Sequence, residues 1–319
     1  MKIETIKEHV NDVLRGTDFK NIGERKIGKV RDVYTMIDKI VLISTDRHSS
    51  FDRIIAHIPF KGEVLNQISA FWFENTKDII QNHVVGIPDP NVLVAKKCSP
   101  LPIECVVRGY ITGVTGTSLW THYKDGQRDF GNFVLGEGMK KNQKLDEPVF
   151  TPTTKSDEHD RPITPAEIVS EGFLSKELAD EVERVSIALF KRGQEIALSH
   201  GLILVDTKYE FGLDENSKLT LIDEIHTPDS SRYWKAGTYD ERFNKGEEPE
   251  YFDKEFLRMW FKDNCDPYKD EVLPDAPADF IAELSRRYIE IYETITGKPF
   301  EHDFSTPIID RITKNLEKI

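Results

Sequence analysis

A chain of 319 residues is long enough for one large α/β protein with a sizeable buried core and two or so subdomains. Its 43 Lys plus Arg against 56 Asp plus Glu give a net charge of −13 at pH 7, which argues against a general nucleic-acid or anionic-membrane surface and leaves basic groups to work locally. Cys98, Cys105 and Cys265 form no CxxC pair, so neither a zinc site nor a disulfide framework is expected and a reducing compartment fits. No segment is apolar for long enough to span a bilayer. The first residues, MKIETIKEHVNDVLRGTDFK, lack the apolar core of a signal peptide. The expectation is a cytoplasmic protein; oligomeric state is not legible at this level.

In chain order, IGKVRDVYTM and KIVLISTD read as strands joined by a turn at Ile37–Asp38, the start of an antiparallel sheet. GEVLNQISAFWFENTKDIIQNH carries Val64, Leu65, Ile68, Phe71, Trp72 and Ile79 at helical spacing and ends before the breaker GIPDP. NVLVAKKC and PIECVVRGY return to strand. From Thr112 to Asp160 the chain is Gly-, Pro- and polar-rich without periodicity, which marks either disorder or function. TPAE at Thr164–Glu167 is a capping box with Pro at the first helical position. Leu178, Val182, Val185 and Leu189 mark a helix that closes at Gly201. Two strands follow, then helices near Asp253–Lys262 and Pro277–Thr296, and a last one with Thr306 as cap.

The chemistry concentrates in LILVDTKYEFG, Leu202 to Gly212. Period-two alternation places Leu204, Asp206, Lys208 and Glu210 on one side and Ile203, Val205, Thr207, Tyr209 and Phe211 on the other. Taken alone, the row fits a solvated strand face. Its neighbour changes that: after the turn LDENSK, the segment LTLIDEIHTPDSSRYW carries Asp223, Glu224, Asp229, Ser230 and Arg232. If the two strands pair as a hairpin, carboxylates from both converge on one lysine with an arginine at the exit. Carboxylates suit Mg²⁺, and Lys and Arg suit phosphate. Elsewhere GKVRDVY places Gly28, Lys29, Val30 and Arg31 in a sheet turn that is neither a P-loop nor a GxGxxG. By itself it reads as a charged edge strand. Lys96, Lys97, Glu104 and Arg108 lie on later strands, again compatible with a solvated face. His226 reads as a packed or hydrogen-bonding loop residue in preference to a phosphocarrier.

The blocks GKVRDVY, STDRHSSFD, FWF, PIECVVRGYITG, FTPTTK, LVDTKYEFG and IDEIHTPDSSRYW occur in that order over most of the chain. The sequence thereby resembles the longer form of the SAICAR synthetase family. The resemblance implies an α/β (α+β) fold in two parts related to ATP-grasp, with antiparallel sheets, packed helices and the site in the cleft between the parts. These are drawn as a mostly-sheet part over 1–110, carrying a nucleotide-covering loop, and an α/β part over 111–319. It implies ATP-dependent ligation of L-aspartate to carboxyaminoimidazole ribonucleotide in de novo purine biosynthesis, through an acyl phosphate. Glu210 and Asp223 would hold Mg²⁺, Lys208 would meet the transferred phosphate, and Asp206 would face the metal or the imidazole. Gly28, Lys29, Val30 and Arg31 would cover ATP, with Lys96 and Glu104 near its adenosine. Arg108 and Arg232 would bind the ribonucleotide phosphate, with Asp229 and Ser230 beside the substrate. Asp46, Arg47, Ser49, Ser50 and Lys155 are candidates for the aspartate pocket. One departure stands out: VTGT, Val114–Thr117, follows Gly113 where the family has Ser directly. Ser118 is read as the displaced substrate-contacting Ser, with Thr115 or Thr117 as alternatives. A small-molecule kinase and a nucleotide-binding regulatory protein are the competing readings, separated by whether ADP release depends on aspartate.

Overall fold

The computed structural model describes residues 1–51, 53–155, 161–252 and 255–317. The first elements are α1 (Ile3–Glu8), β1 (Glu24–Ile27), β2 (Arg31–Thr35), β3 (Lys39–Ser44), β4 (Arg47–Ser50), β5 (Arg53–His57), α2 (Lys61–Thr76), β6 (Val84–Asp89) and β7 (Val92–Lys96). There follow β8 (Ser99–Pro100), β9 (Ile103–Ile111), α3 (Leu119–Lys124), β10 (Gln143–Phe150), β11 (Thr153–Thr154), α4 (Pro165–Ser170) and α5 (Lys176–Ser199). The remainder is β12 (Leu202–Leu213), β13 (Leu219–Ile222), β14 (Ser231–Lys235), α6 (Ala236–Lys245), α7 (Glu255–Asn264), α8 (Ala278–Thr296) and α9 (Ile308–Leu316). The expected helix start at Asp253 lies outside the described residues. No helix among them is long and apolar enough to cross a membrane.

The chain divides into two compact units: Met1–Phe71, His83–Lys97 and Phe252–Ile319 form one, Trp72–Asn82 and Cys98–Tyr251 the other. They interleave along the sequence, where the sequence reading draws one division at 110/111. Helix α9 joins the first unit by packing on its sheet, and α8 by lying against α1.

In the first unit the sheet order is β1-β2-β3-β7-β6, antiparallel throughout. The Ile37–Asp38 turn is as expected, closed by Met36 N–H donating to Lys39 O at 2.9 Å. Val41 and Ile43 of β3 and Val92 and Val94 of β7 share a face by their period of two, and Ile312 and Leu316 of α9 pack on it. The cap of α9 is Pro307, not Thr306. On that helix Arg311 is bound to Asp89 at 3.1 Å and to Glu63 at 2.7 Å.

The second unit is built on β12, which is hydrogen-bonded along both edges: β14 and β13 on one, β9 and β8 on the other. The β12–β13 hairpin forms as anticipated, with Leu213 opposite Leu219. The capping box at Thr164 is present in full, its hydroxyl accepting from Glu167 N–H at 3.2 Å and the Glu167 carboxylate accepting from Thr164 N–H at 2.7 Å. The stretch after Thr112 is structured where it is described: it forms α3, whose Leu119 and Tyr123 join a core with Ile111, Leu135 and Leu145, and then the sheet strands β10 and β11.

Helix α5 buries Val182, Val185, Leu189, Phe190 and Gly193 along one stripe. A Cβ at Gly193 would stand 2.4 Å from His226 Cε1 and 2.6 Å from Leu204 Cδ2. Helix propensity alone favours alanine by about 1 kcal/mol, but overpacking a buried ring costs about 1–3 kcal/mol. Gly193→Ala is therefore expected to lower the urea midpoint. Gly237→Ala in α6, where a Cβ meets nothing within 4 Å, should raise it. Equal shifts of one sign would show that packing against His226 does not decide the effect.

Candidate active site

The face that β12 presents is set by a bulge. Leu204 lies opposite Tyr233 and Asp206 opposite Arg232, so Val205 is the extra residue. Leu204 consequently packs under α5 against Gly193. Tyr209 pairs with Cys105 on that same helix-covered side. Asp206, Lys208 and Glu210 keep their common side, but the expected fourth member of the row, Leu204, is on the other. Nor is the row a solvated edge: Asp206 is 7 % exposed and neighbouring strands flank it on both sides.

Two charge clusters follow. At the first, cross-strand register places Arg108 of β9 and Arg232 of β14 directly opposite Asp206, one from each side. Asp206 Oδ2 lies 3.8 Å from Arg108 Nη1 and 3.4 Å from Arg232 Nη2, and this buried oxygen accepts no hydrogen bond. Both separations exceed those of a charge-assisted bond, about 2.7–2.9 Å. The carboxylate thus spaces the two guanidiniums without using up their donors. Arg108 is steadied by Nε donating to Thr151 Oγ1 at 2.9 Å and Nη2 donating to Thr117 O at 3.2 Å. Val114–Thr117 loop outward, all four exposed, and the chain returns so that a Cβ at Gly113 (φ 100°) would stand 2.4 Å from Ser118 Cβ and 3.6 Å from Arg232 Nη1. The insertion leaves Ser118 beside this cluster. Its hydroxyl donates to Thr115 O at 2.7 Å. A cavity of about 230 Å³ adjoins Arg108, walled in part by Leu119, Phe130, Phe133 and Phe150.

The second cluster continues along the same side. Lys208 Nζ donates to Glu104 Oε1 at 2.7 Å and Glu210 Oε1 at 2.9 Å, and Lys155 pairs with the other oxygen of Glu210. Glu104 is placed against Lys208. Burial pushes the Glu210 carboxyl up, but the ammonium groups of Lys208 and Lys155 outweigh it and hold it at about 2. Burial likewise lowers Lys208, and Glu210 with Glu104 more than reverses that. Asp223 follows Ile222, the residue opposite Glu210, and takes φ 66°. Positive φ at a non-glycine is held by surrounding structure and recurs at working sites. Ser230 O accepts from Lys208 N–H at 3.0 Å, and Asp229 N–H donates to Thr227 Oγ1 at 3.3 Å. His226 is fully buried, 2.6 Å from the Tyr209 hydroxyl, with Trp72 edge-on at 4.7 Å; burial lowers its pKa to about 3. It is a neutral packed histidine.

The remaining sequence candidates lie in the first unit. Gly28–Val30 form the β1–β2 turn, Gly28 N–H donating to Arg31 O at 2.8 Å. A Cβ at Gly28 would stand 2.9 Å from that oxygen. Lys96 ends β7 and is exposed. Ser49 and Ser50 lie half-buried on β4. Asp46 and Arg47 are buried and engaged within the fold: Asp46 accepts from Leu14 N–H at 2.6 Å and Gly62 N–H at 2.8 Å, and Arg47 donates to backbone carbonyls and to the Asp32 carboxylate. Residues that sequence reasoning passed over are Thr151, which orients Arg108, and Asp32 with Thr45, which support the Gly28 turn. All three lay inside quoted blocks, Asp32 in GKVRDVY, Thr45 in STDRHSSFD and Thr151 in FTPTTK, but as supports of the groups beside them they carried no signal of their own.

A lysine held between carboxylates next to a paired-arginine anion site, on the central strand of an antiparallel sheet, is the equipment of a phosphate-handling enzyme. The SAICAR synthetase family model matches residues 24–274, and the chain belongs to that family, whose function is an ATP-dependent ligation of aspartate in purine biosynthesis. The phosphoribosylaminoimidazole-succinocarboxamide synthase of Legionella pneumophila strain Paris is 55 % identical over 93 % of this chain and 95 % of its own. The chloroplastic enzyme of Arabidopsis thaliana is 55 % identical over 98 % of this chain and 78 % of its own. Among solved structures, the Saccharomyces cerevisiae SAICAR synthase complexed with SAICAR matches with a TM-score of 0.78 at 32 % identity, covering 91 % of this chain and 100 % of that one. A SAICAR synthetase in complex with ADP matches with a TM-score of 0.65 at 27 % identity, covering 88 % of this chain and 100 % of that one.

Because Glu210 has a folded pKa below its unfolded value, it contributes stability above about pH 4.3 that is lost as pH falls toward 2. Lys155→Met removes one of the two ammonium neighbours and should shrink that contribution. Urea midpoints of the parent and variant are expected to differ at and above about pH 4.3 and to converge only as pH falls toward 2. A gap independent of pH would show that Lys155 does not act through the Glu210 charge.

Proposed function

We propose that this chain joins L-aspartate to carboxyaminoimidazole ribonucleotide, and that the stripe on β12 performs both halves of the reaction. A carboxylate is a poor acylating group at neutral pH. Transfer of the ATP γ-phosphoryl group to a substrate carboxylate oxygen breaks the bond to ADP and gives an acyl phosphate. The aspartate amine then attacks the acyl carbon, phosphate leaves with that oxygen, and the amine gives up its proton. The observation that carries this reading is the run Arg108–Asp206–Arg232 followed by Glu104–Lys208–Glu210–Lys155 along one side of a sheet.

Arg108 and Arg232 would bind the ribonucleotide phosphate, since guanidinium forks match its oxygens and Asp206 leaves their donors available. Ser118 would contribute its hydroxyl there, with Asp229 and Ser230 nearby. Lys208 would carry the charge of the phosphoryl group in transfer, oriented by Glu104. Gly28, Lys29, Val30 and Arg31 would cover ATP, with Lys96 toward its adenosine. The side chains of Asp46 and Arg47 are engaged within the fold, which leaves Ser49, Ser50 and Lys155 as the aspartate-pocket candidates.

The donor chemistry fits Mg²⁺. Among the described residues no group of three or more His, Cys, Asp or Glu is arranged to hold a metal by itself. Two carboxylates, Glu210 and the hairpin's Asp223, match an ion bound through one or two carboxylates plus substrate phosphates. The ion would neutralise the phosphate charge. Catalysis otherwise rests on positioning and on charges fixed in advance.

Glu210→Gln and Asp223→Asn should each lower turnover by roughly 100-fold or more with the fold intact; near-parental turnover of a folded variant at saturating Mg²⁺ would remove that residue from the assignment. Arg232→Lys should raise the ribonucleotide KM by about tenfold and leave that for ATP unchanged. Equal losses for both ligands would point to a scaffolding role. With ¹⁸O in the ribonucleotide carboxylate, label must appear in released phosphate, and ADP formation must yield amide product only when aspartate is present. Unlabelled phosphate would overturn the acyl phosphate route.

A further inference from the structure

Beneath the β1–β2 turn lies a guanidinium that the reaction itself does not use. Arg47 is 5 % exposed and addresses four acceptors with one planar head: Nη2 donates to Asp32 Oδ1 at 2.7 Å and to Gly28 O at 3.1 Å, Nε to Lys29 O at 3.3 Å, and Nη1 to Arg15 O at 2.9 Å. Asp32, 1 % exposed, is itself fixed by accepting from Thr17 N–H at 2.6 Å and Thr17 Oγ1–H at 2.9 Å. The next carbonyl of the turn, Val30 O, accepts from Thr45 N–H at 2.9 Å and Thr45 Oγ1–H at 2.8 Å. Three consecutive carbonyls, those of Gly28, Lys29 and Val30, are thus drawn inward.

In a trans peptide the N–H points opposite to the C=O of the same unit. Drawing in the carbonyls of Gly28 and Lys29 turns the N–H groups of Lys29 and Val30 outward, on the side where the turn meets a ligand. Successive outward amides make a concave site for an anion. Lysine has a single compact donor head and cannot span two adjacent carbonyls and a carboxylate at once; arginine's fork can.

We propose that Arg47 is a positioning residue for nucleotide capture: by anchoring the Gly28 and Lys29 carbonyls to Asp32 and the Arg15 carbonyl, it presets the turn so that backbone amides face a nucleoside triphosphate's phosphate oxygens. The proposal rests on the reading above that this turn covers ATP. It assigns to Arg47 no contact with any substrate.

The test uses the full chain and two readouts. In Arg47→Lys, hydrogen exchange of a peptide spanning residues 26–34 should accelerate in the absence of nucleotide. The KM for ATP should rise roughly tenfold, the worth of a lost charge-assisted bond, with the ribonucleotide KM unchanged. The double variant Arg47→Gln with Asp32→Asn leaves no unpaired buried charge, and it should show the same split if Arg47→Lys folds poorly. Unchanged exchange in folded variants overturns the proposal. So does a fall in apparent kcat with an unchanged ATP KM, which is the mark of a merely structural ion pair. Lys29→Ala separates the two levels. If it raises the ATP KM while the Arg47 variants do not, Arg47 has no positioning role; if neither does although exchange accelerates, the turn does not cover ATP and both statements fall.

Discussion

The hydrogen-bonding of β12 along both edges, with one extra residue at Val205, is the constraint on which the second unit depends. A strand flanked on both sides has its register fixed by several partners, so the positions of the charges on it are set without any help from a ligand. The bulge resolves a conflict in the local sequence. Strict alternation would put Leu204 on the charged side, whereas the bulge gives Leu204 to the α5 interface and leaves Asp206, Lys208 and Glu210 on the charged one.

That arrangement is expensive in isolation and stable only as a set. A half-buried carboxylate or ammonium has lost part of its hydration, and its cost is offset only when an opposite charge is in place. Along the stripe the signs alternate: Arg232, Asp206 and Arg108, then Glu104, Lys208, Glu210 and Lys155. Each group is the counter-charge of its neighbour before any substrate arrives. Charges preset in this way need little reorganisation to meet a developing charge.

The first unit solves the matching problem for the β1–β2 turn by a different means. Gly28–Val30 carries no secondary-structure hydrogen bonds sufficient to hold its carbonyls, and side chains from the following strand region, Thr45 and Arg47, supply them. Buried polar groups are tolerated there because every donor of the guanidinium that reaches the turn has an acceptor.

By itself the sequence determined the elements whose signals are local. The Ile37–Asp38 turn, the Thr164 capping box, the stripe of α5, the β12–β13 hairpin and the ordered family blocks are all encoded within a few residues or by plain succession, and family membership follows from the blocks. Helices α1, α3 and α6 escaped because each is short and owes its existence to packing, as Tyr239 of α6 does against Trp234 and Tyr110. The stretch after Thr112 escaped because β10 is held by β9 and not by its own pattern. Only tertiary structure decided that Leu204 leaves the charged row, that Ser118 returns to Gly113 around an outward loop, and that Asp206 stands between two arginines. It also decided that Asp46 turns to backbone amides and that Arg47 is shared between backbone carbonyls and Asp32. Each of these turns on which partner a side chain meets across strands or loops distant in sequence, and a one-dimensional pattern specifies the face of a residue but not what waits on that face.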